Sequence, residues 1–459
     1  MLGVSKYKND ASSPDSRSTT VRLALRAAGS CSGRQTGAMG WLLLVLGTFG
    51  VVHGANALFP RKGPLPVFAW SFLASWLTIE LVWHHIVIGL LLTAALVSAG
   101  ALEQPAGVVG LVLMAITMAV LVSIGWTTRR TVVSMRGALA DLEPGEDAPR
   151  FPRSLIVFPF LLGRRKGVRV VRNVPFARIG GRTLRLDVTV PSAPVPGGGT
   201  RRPALIQVHG GGWVIGDKRE QGLPLLGHMS AQGWVGFNVN YRLSPGVAFP
   251  DHLIDLKRGL AWIRAHADEY DVDPDFICIT GGSAGGHLTA LMALTQGVAR
   301  FQPGFEDADT SLAAAVPFYG IYDFTPEGAF GADPAIYSRF LEPMVMKAFV
   351  AEEPERFADA SPIHHIHAAA PPFLVIHGDH DTLAPVEDAR VFVERLRAVS
   401  TQPVLYAEMQ GAQHAFEIFP SVRAAKVIEG VERFLTTLWE RRHAPASGDE
   451  ARLEEALTD

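Results

Sequence analysis

Hydrophobic and polar positions divide the 459-residue chain into two parts with different rhythms. Between residues 39 and 126 apolar residues run almost without interruption, and the charged residues there are Arg61, Lys62, Glu80 and Glu103. Crossing a bilayer as a helix takes about 20 apolar residues. Residues 39–59 and 108–126 meet that length. The stretch 67–102 is too long for one simple span. It predicts two short spans or a re-entrant hairpin, with one long tilted helix as the alternative. Glu80, His84 and His85 fall in its middle. Ionisable groups inside a span raise a functional reading; a turn at the membrane interface makes them ordinary and is preferred. The apolar region starts too late and runs too long for a signal peptide.

After residue 167 short apolar runs alternate with helical patterns. Runs of strand length lie at 204–208, 234–240, 275–280, 313–318, 372–377 and 403–408. Helices are predicted near 251–269, 284–296, 385–398 and 421–441. Ahead of them, Val168-Arg169-Val170-Val171 and Leu184-Arg185-Leu186-Asp187-Val188 alternate around Gly180-Gly181, a β-hairpin pattern. Such alternation predicts a mostly parallel sheet with helices on both faces. Residues 324–367 form an insertion with an apolar face, including Phe330, Tyr337, Phe340 and Leu341, and read as a cap. The expected organisation is a disordered segment 1–38, a transmembrane helical region 39–126, a linker contributing to a cap 127–166, a catalytic domain 167–442 and a disordered tail 443–459. The abrupt change near Trp126 predicts that a chain beginning at Gly167 folds alone. Arg164-Arg165-Lys166 reads equally as a lipid-facing surface or a solvated loop.

Charge changes this picture only at the flanks. The net charge is −2 with no long basic run, so nucleic acid is not an expected partner. Lys6, Lys8, Arg17, Arg22, Arg26 and Arg34 precede the first span, and Arg129, Arg130 and Arg136 follow the last. Basic flanks on both sides favour an even number of spans, with the catalytic domain on the cytoplasmic side of a multi-pass membrane protein. Arg61 and Lys62 pull against this if their loop is external. Cys31 and Cys278 are isolated and give neither a disulfide framework nor a metal motif. His364, His365 and His367 lack the accompanying Cys or carboxylate spacing of a metal site and read as a solvent-facing loop. No cofactor is implied.

The chemistry concentrates at strand ends. The run Ile277-Cys278-Ile279-Thr280 passes into Gly281-Gly282-Ser283-Ala284-Gly285-Gly286, a G-x-S-x-G motif between a predicted strand and helix. That is the setting of a nucleophile elbow. The strand 204–208 ends in His209-Gly210-Gly211-Gly212-Trp213, where backbone N–H groups lie open to a developing oxyanion. Another strand ends in Gly378-Asp379-His380-Asp381-Thr382-Leu383, and the last in Gly411-Ala412-Gln413-His414. Oxyanion loop, Ser, Asp, His is the chain order of α/β-hydrolases. A serine hydroxyl needs a base in reach, and the base needs a partner to hold its tautomer. Ser283, His414 and either Asp379 or Asp381 fit those needs.

The set HGGGW, Tyr241-Arg242-Leu243-Ser244-Pro245, GGSAGG, D-x-L and H-x-F resembles the bacterial hormone-sensitive-lipase-like carboxylesterases, especially membrane-associated esterases of mycobacteria and related actinobacteria. The resemblance covers roughly residues 168–440. It implies an α/β-hydrolase fold, Ser283 as nucleophile, His414 as base, and Asp381 rather than Asp379 as the residue orienting His414. It also implies an oxyanion hole from Gly211, Gly212 and Ala284; Trp213, at the end of that loop, reads as lining the pocket or packing behind the loop. One departure is Gly246, where family members often carry Glu. The function implied is hydrolysis of short- to medium-chain acyl esters, small-molecule or lipid, at a membrane. Amidase, deacetylase or arylformamidase chemistry on the same triad is the alternative, and a non-catalytic binding module is the alternative from outside enzymology.

Overall fold

The computed structural model describes residues 38–61, 65–142, 149–160, 166–332 and 334–443. Most of the segment 1–38, the tail and the arginines of the 164–166 cluster lie outside those residues. The described residues pack as two units, one of residues 38–55 and 83–122 and one of residues 56–82 and 123–443.

The first unit is helical. It takes most of α1 (Ala38–Leu58), α3 (Val82–Ser98) and the first part of α4 (Pro105–Ala138). Its core is small, with Leu43, Leu96, Ala101 and Met114 buried together. Its outer surface is apolar: Val45, Phe49, Val87, Leu91, Val108 and Val112 are exposed. This inverts the pattern of a helix facing water. Helices α1 and α4 meet through glycine, where a Cβ on Gly110 would lie 2.5 Å from the Leu44 nitrogen. Small residues at such contacts are how apolar helices approach one another in lipid. Among the described residues two helices, α1 and α4, are long and apolar enough to cross a membrane, making three spans if the bent pair at 69–98 counts as one.

The second unit is built on an eight-stranded sheet. Its strands are β1 (Val168–Ile179), β2 (Arg182–Pro191), β3 (Arg202–Val208), β4 (Val235–Val239), β5 (Val272–Gly282), β6 (Ala314–Phe318), β7 (Phe373–Gly378) and β8 (Val404–Met409), in the spatial order β1-β2-β4-β3-β5-β6-β7-β8. The hairpin β1–β2 and the pair β2–β4 are antiparallel, and the other pairs are parallel. Alternate residues of each parallel strand enter opposite cores. Ile277 and Ile279 of β5 join Val375 of β7 on one face. Phe276 and Cys278 join Leu374 and Ile376 on the other. Both faces are covered, which is why these strands read as unbroken apolar runs.

The first face is covered by α7 (Asp251–Ala265), α8 (Ala284–Leu294) and α11 (Val386–Val399). The second is covered by α5 (Arg153–Val157), α6 (Leu223–Ala231), α12 (Val422–His443) and the end of α4. The insertion between β6 and β7 carries α9 (Pro334–Ile336), a π-helical segment Tyr337–Met346 and α10 (Pro354–Asp359). Tyr337, Leu341 and Met346 are part of the first core.

Three features depart from the sequence reading. Helix α4 runs through Trp126 to Ala138, so residues 127–138 are helix rather than linker. The reason is packing: Met135, Leu139, Leu142, Phe151 and Leu155 are buried in the core under α12. The stretch 67–102 is two helices rather than one long one, α2 (Leu65–Glu80) and α3, bent by 85° at a break; the departure is that α2 belongs to the second unit, where its Ser71 also bonds Asn56 near the end of α1. Glu80 closes α2 beside the turn at Leu81, but it is buried and paired within the second unit.

Candidate active site

In an open sheet of parallel strands ligands bind beyond the carboxyl ends. Here β3, β5, β7 and β8 deliver the glycine loop, Ser283, Asp381 and His414 to that edge. Ser283 joins β5 to α8 with φ 60° and ψ −123°. A non-glycine residue held there costs on the order of 1–3 kcal/mol, which the surroundings must offset. They do so with two hydrogen bonds: Ser283 N donates to Phe318 O at 3.0 Å and His287 N donates to Ser283 O at 2.9 Å. The elbow also needs helix and strand almost in contact, since a Cβ on Gly285 would fall 2.2 Å from the Val208 carbonyl oxygen.

The two candidate acids separate clearly. Asp381 Oδ2 lies 2.6 Å from His414 Nδ1, while its Oδ1 accepts the N–H groups of Leu383 and Ala384 at 2.8 Å each. Burial alone would raise the Asp381 pKa, but the charge of His414 and the hydrogen bonds of His377 and His414 outweigh it and hold the carboxyl well below the usual range. Asp379 instead accepts Gly411 N at 2.6 Å, stapling its loop to the His414 loop.

The glycine loop is set by side chains around it. Gly210 N donates to Gln221 Oε1 at 2.6 Å, and Val214 N and Ile215 N donate to Gly211 O. Among the described residues no hydrogen bond takes the N–H of Gly211 or Gly212, and both residues line the cavity that Ser283 and His414 also line. Ala284, the first residue of α8, is fully buried. His209 is buried with its ring stacked on Tyr241 at 4.4 Å, and burial lowers its pKa. Trp213 lines the cavity, and its Nε1 donates to His287 Nδ1 at 3.1 Å. His287 Nε2 in turn bonds Ala360 O at 2.7 Å, which fixes its tautomer, and burial lowers its pKa to about 4. His365 bonds Asp359 O, and no group of three metal-binding side chains occurs among the described residues.

The cavity measures about 390 Å³ and its lining is mainly apolar. Phe330 and Phe340 reach it from the insertion, and Phe72 and Trp76 from α2. Helix α2 is fastened to the His414 loop at several points. Trp76 Nε1 donates to Ala415 O at 2.9 Å. Gln413, fully buried, donates from Nε2 to Ser75 Oγ at 3.2 Å while its Oε1 accepts His414 N and Thr382 N. Glu80 is paired with Arg423 at 3.1 Å and accepts Ser421 Oγ at 2.6 Å. Arg423 continues to Gln410 O and Gly411 O.

Phe72, Ser75, Trp76, Gln413, Ser421 and Arg423 are the residues that sequence reasoning missed, with Tyr319 and Glu417; Glu80 stood out in the sequence, but without its partner. Tyr319 lies over His414 at 4.4 Å between ring centroids and donates its hydroxyl to buried Glu417. Burial raises the Glu417 pKa to about 7. The available signal for Gln413 and Glu417 was their place beside His414; for Tyr319 it was the end of β6.

The family model BD-FAE matches residues 186–396. The probable carboxylic ester hydrolase LipM of Mycobacterium tuberculosis is 52% identical over 242 residues, 53% of this chain and 56% of LipM, so the chain spans little more than half of that relative. Esterase LipQ of the same organism is 38% identical over 336 residues, 70% of this chain and 78% of LipQ. A thermophilic esterase of Thermogutta terrifontis superposes with a TM-score of 0.50 at 26% identity, covering 62% of this chain and 95% of that one. The sheet order, the elbow and the breadth of the match to LipQ lead to one conclusion: the chain belongs to the hormone-sensitive-lipase-like family of carboxylic ester hydrolases.

Proposed function

We propose that the protein is a serine carboxylester hydrolase anchored in a membrane. The reading is carried by the Asp381–His414 contact of 2.6 Å at Nδ1, beside a serine held at φ 60° on the same cavity. With Nδ1 engaged by Asp381, Nε2 of His414 is the nitrogen left to serve Ser283. Ser283 Oγ attacks the ester carbonyl carbon as His414 takes its proton. The oxyanion rests on the N–H groups of Gly211, Gly212 and Ala284. His414 then protonates the departing alcohol, leaving an acyl-serine. Water attacks this acyl group with His414 again as base, releasing the acid and restoring Ser283. Trp213 and the apolar lining receive the acyl chain, and the cavity size suits short- to medium-chain esters. Helices α1 and α4 supply the anchor, and basic residues flanking the apolar region favour a cytoplasmic catalytic unit.

The test is Ser283→Ala assayed on p-nitrophenyl butyrate, with fluorophosphonate labelling in parallel. Turnover is expected to fall by roughly a million-fold, and labelling to vanish, in a protein with an unchanged melting curve. Turnover near wild type would sink the mechanism.

A further inference from the structure

Helix α2 is apolar on both sides. Its inner side belongs to the site, through Phe72, Ser75, Trp76 and Glu80. Its outer side carries Leu73 and Leu77, one turn apart and 50% and 37% exposed. A helix packed on a protein core normally turns charged residues to water. The sixteen residues of α2 hold one ionisable side chain, Glu80, and it is buried.

Two further observations in the same unit extend this surface. Phe158 and Phe160 are 60% and 76% exposed. Phe160 lies edge-on to Phe419, which stacks on Trp76, so an apolar rim runs from α2 to Phe160. On α4, exposed Trp126 lies under the Arg129 guanidinium, 4.7 Å from its ring centre. Trp with Arg at a helix position following a long apolar run is the anchor found at membrane interfaces. The next residue, Arg130, donates to Gln410 at 3.1 Å, beside the His414 loop. The loop carrying the base therefore rests on that interfacial turn.

We propose that the outer face of α2 and the Phe158–Phe160 rim sit in the acyl layer of a bilayer, and that the cavity takes ester lipids from the bilayer across α2 rather than from water. This rests on the ester-hydrolase reading above. It narrows the substrate class to esters dissolved in the membrane, and it makes α2 a partition one helix thick between lipid and nucleophile.

The experiment uses the full-length protein in nanodiscs of phosphatidylcholine and phosphatidylglycerol. Wild type and Leu73→Glu/Leu77→Glu are compared on 4-methylumbelliferyl butyrate in water and 4-methylumbelliferyl decanoate, a medium-chain ester, dissolved in the disc. The double variant should keep the butyrate rate within about twofold and lose at least about tenfold on the decanoate, because charged side chains are expelled from the acyl layer. Equal losses on both substrates, or none on either, would overturn the proposal. A reporter that needs no turnover guards against misfolding: a fluorophore on Leu73→Cys, in a Cys31→Ser background, should be quenched by bromolipids. An unquenched label overturns the proposal, as does quenching relieved only by dissociating a dimer. Wild type that cleaves butyrate but not decanoate refutes this inference alone, whereas wild type that cleaves neither refutes the ester-hydrolase reading on which it depends.

Discussion

The Glu80–Arg423 pair offers a quantitative test of how α2 is held. Both side chains are fully buried at 3.1 Å. Replacing Glu80 by Leu leaves a guanidinium with only the Gln410 and Gly411 carbonyls and a long contact of 3.5 Å to Thr131. Removing one partner of a buried ion pair costs about 3–5 kcal/mol. At about 2–4 °C per kcal/mol this lowers the melting temperature by roughly 6–20 °C. Arg423→Met should cost a similar amount, since it strands the Glu80 carboxylate with Ser421. Replacing both removes the uncompensated charge and forfeits mainly two bonds to backbone carbonyls, about 1 kcal/mol each. The double variant Glu80→Leu/Arg423→Met is therefore expected to be more stable than either single variant. Calorimetry of the full-length protein in nanodiscs measures all four. A double variant whose loss equals the sum of the two single losses would refute the coupling.

Asp381→Asn should reduce kcat on a water-soluble ester by about ten-thousand-fold through the wrong His414 tautomer, while Asp379→Asn, which can still accept Gly411 N, should stay within about tenfold; the reverse ranking would reassign the acid. Glu417 is protonated in the fold and ionised in the unfolded chain between its ordinary 4.5 and about 7, so its contribution to stability falls as pH rises through that window. The total is about 3 kcal/mol, so Glu417→Gln should gain melting temperature relative to wild type between pH 5 and pH 8, and a difference independent of pH would contradict the buried acid. A chain beginning at Gly167 lacks Glu80 and the Phe72–Trp76 wall and uncovers the core under Met135 and Leu139; contrary to the composition argument it should be insoluble or inactive, and a soluble, active core would restore that argument.

The catalytic strands were legible because each is buried on both faces, so their apolar runs stand out between polar loops, and each functional motif begins where a run stops. The pattern D-x-L favoured Asp381, and the structure puts that carboxylate on His414 and Asp379 on Gly411. Helix α2 was misgrouped for a physical reason. A helix lining an apolar cavity on one side and exposing leucines on the other has the same composition as a membrane span. Glu80 was the clue, but its partner lies 343 residues away and no local pattern connects them. Helix α6 was missed because Pro224 and Gly227 break a nine-residue apolar stretch into fragments too short to show a period. The extension of α4 past Trp126 was hidden by Thr127, Thr128, Arg129 and Arg130, which read as the end of a span although Met135 continues the buried side.

The discontinuity of the catalytic unit has a consequence in time. Residues 56–82 leave the ribosome early, yet the bonds that fasten α2 come from residues 413–423, near the end of the chain. Chains grow at about 5–20 residues per second, so the 343 residues between Glu80 and Arg423 take roughly 20–70 s to make. Throughout that interval the α2 wall of the cavity exists without the His414 loop it packs against, and Glu80 waits for its cation. The pocket thus joins an early helix to loops made about 340 residues later, and a nascent chain that stops short of Arg423 has an elbow serine but no finished site.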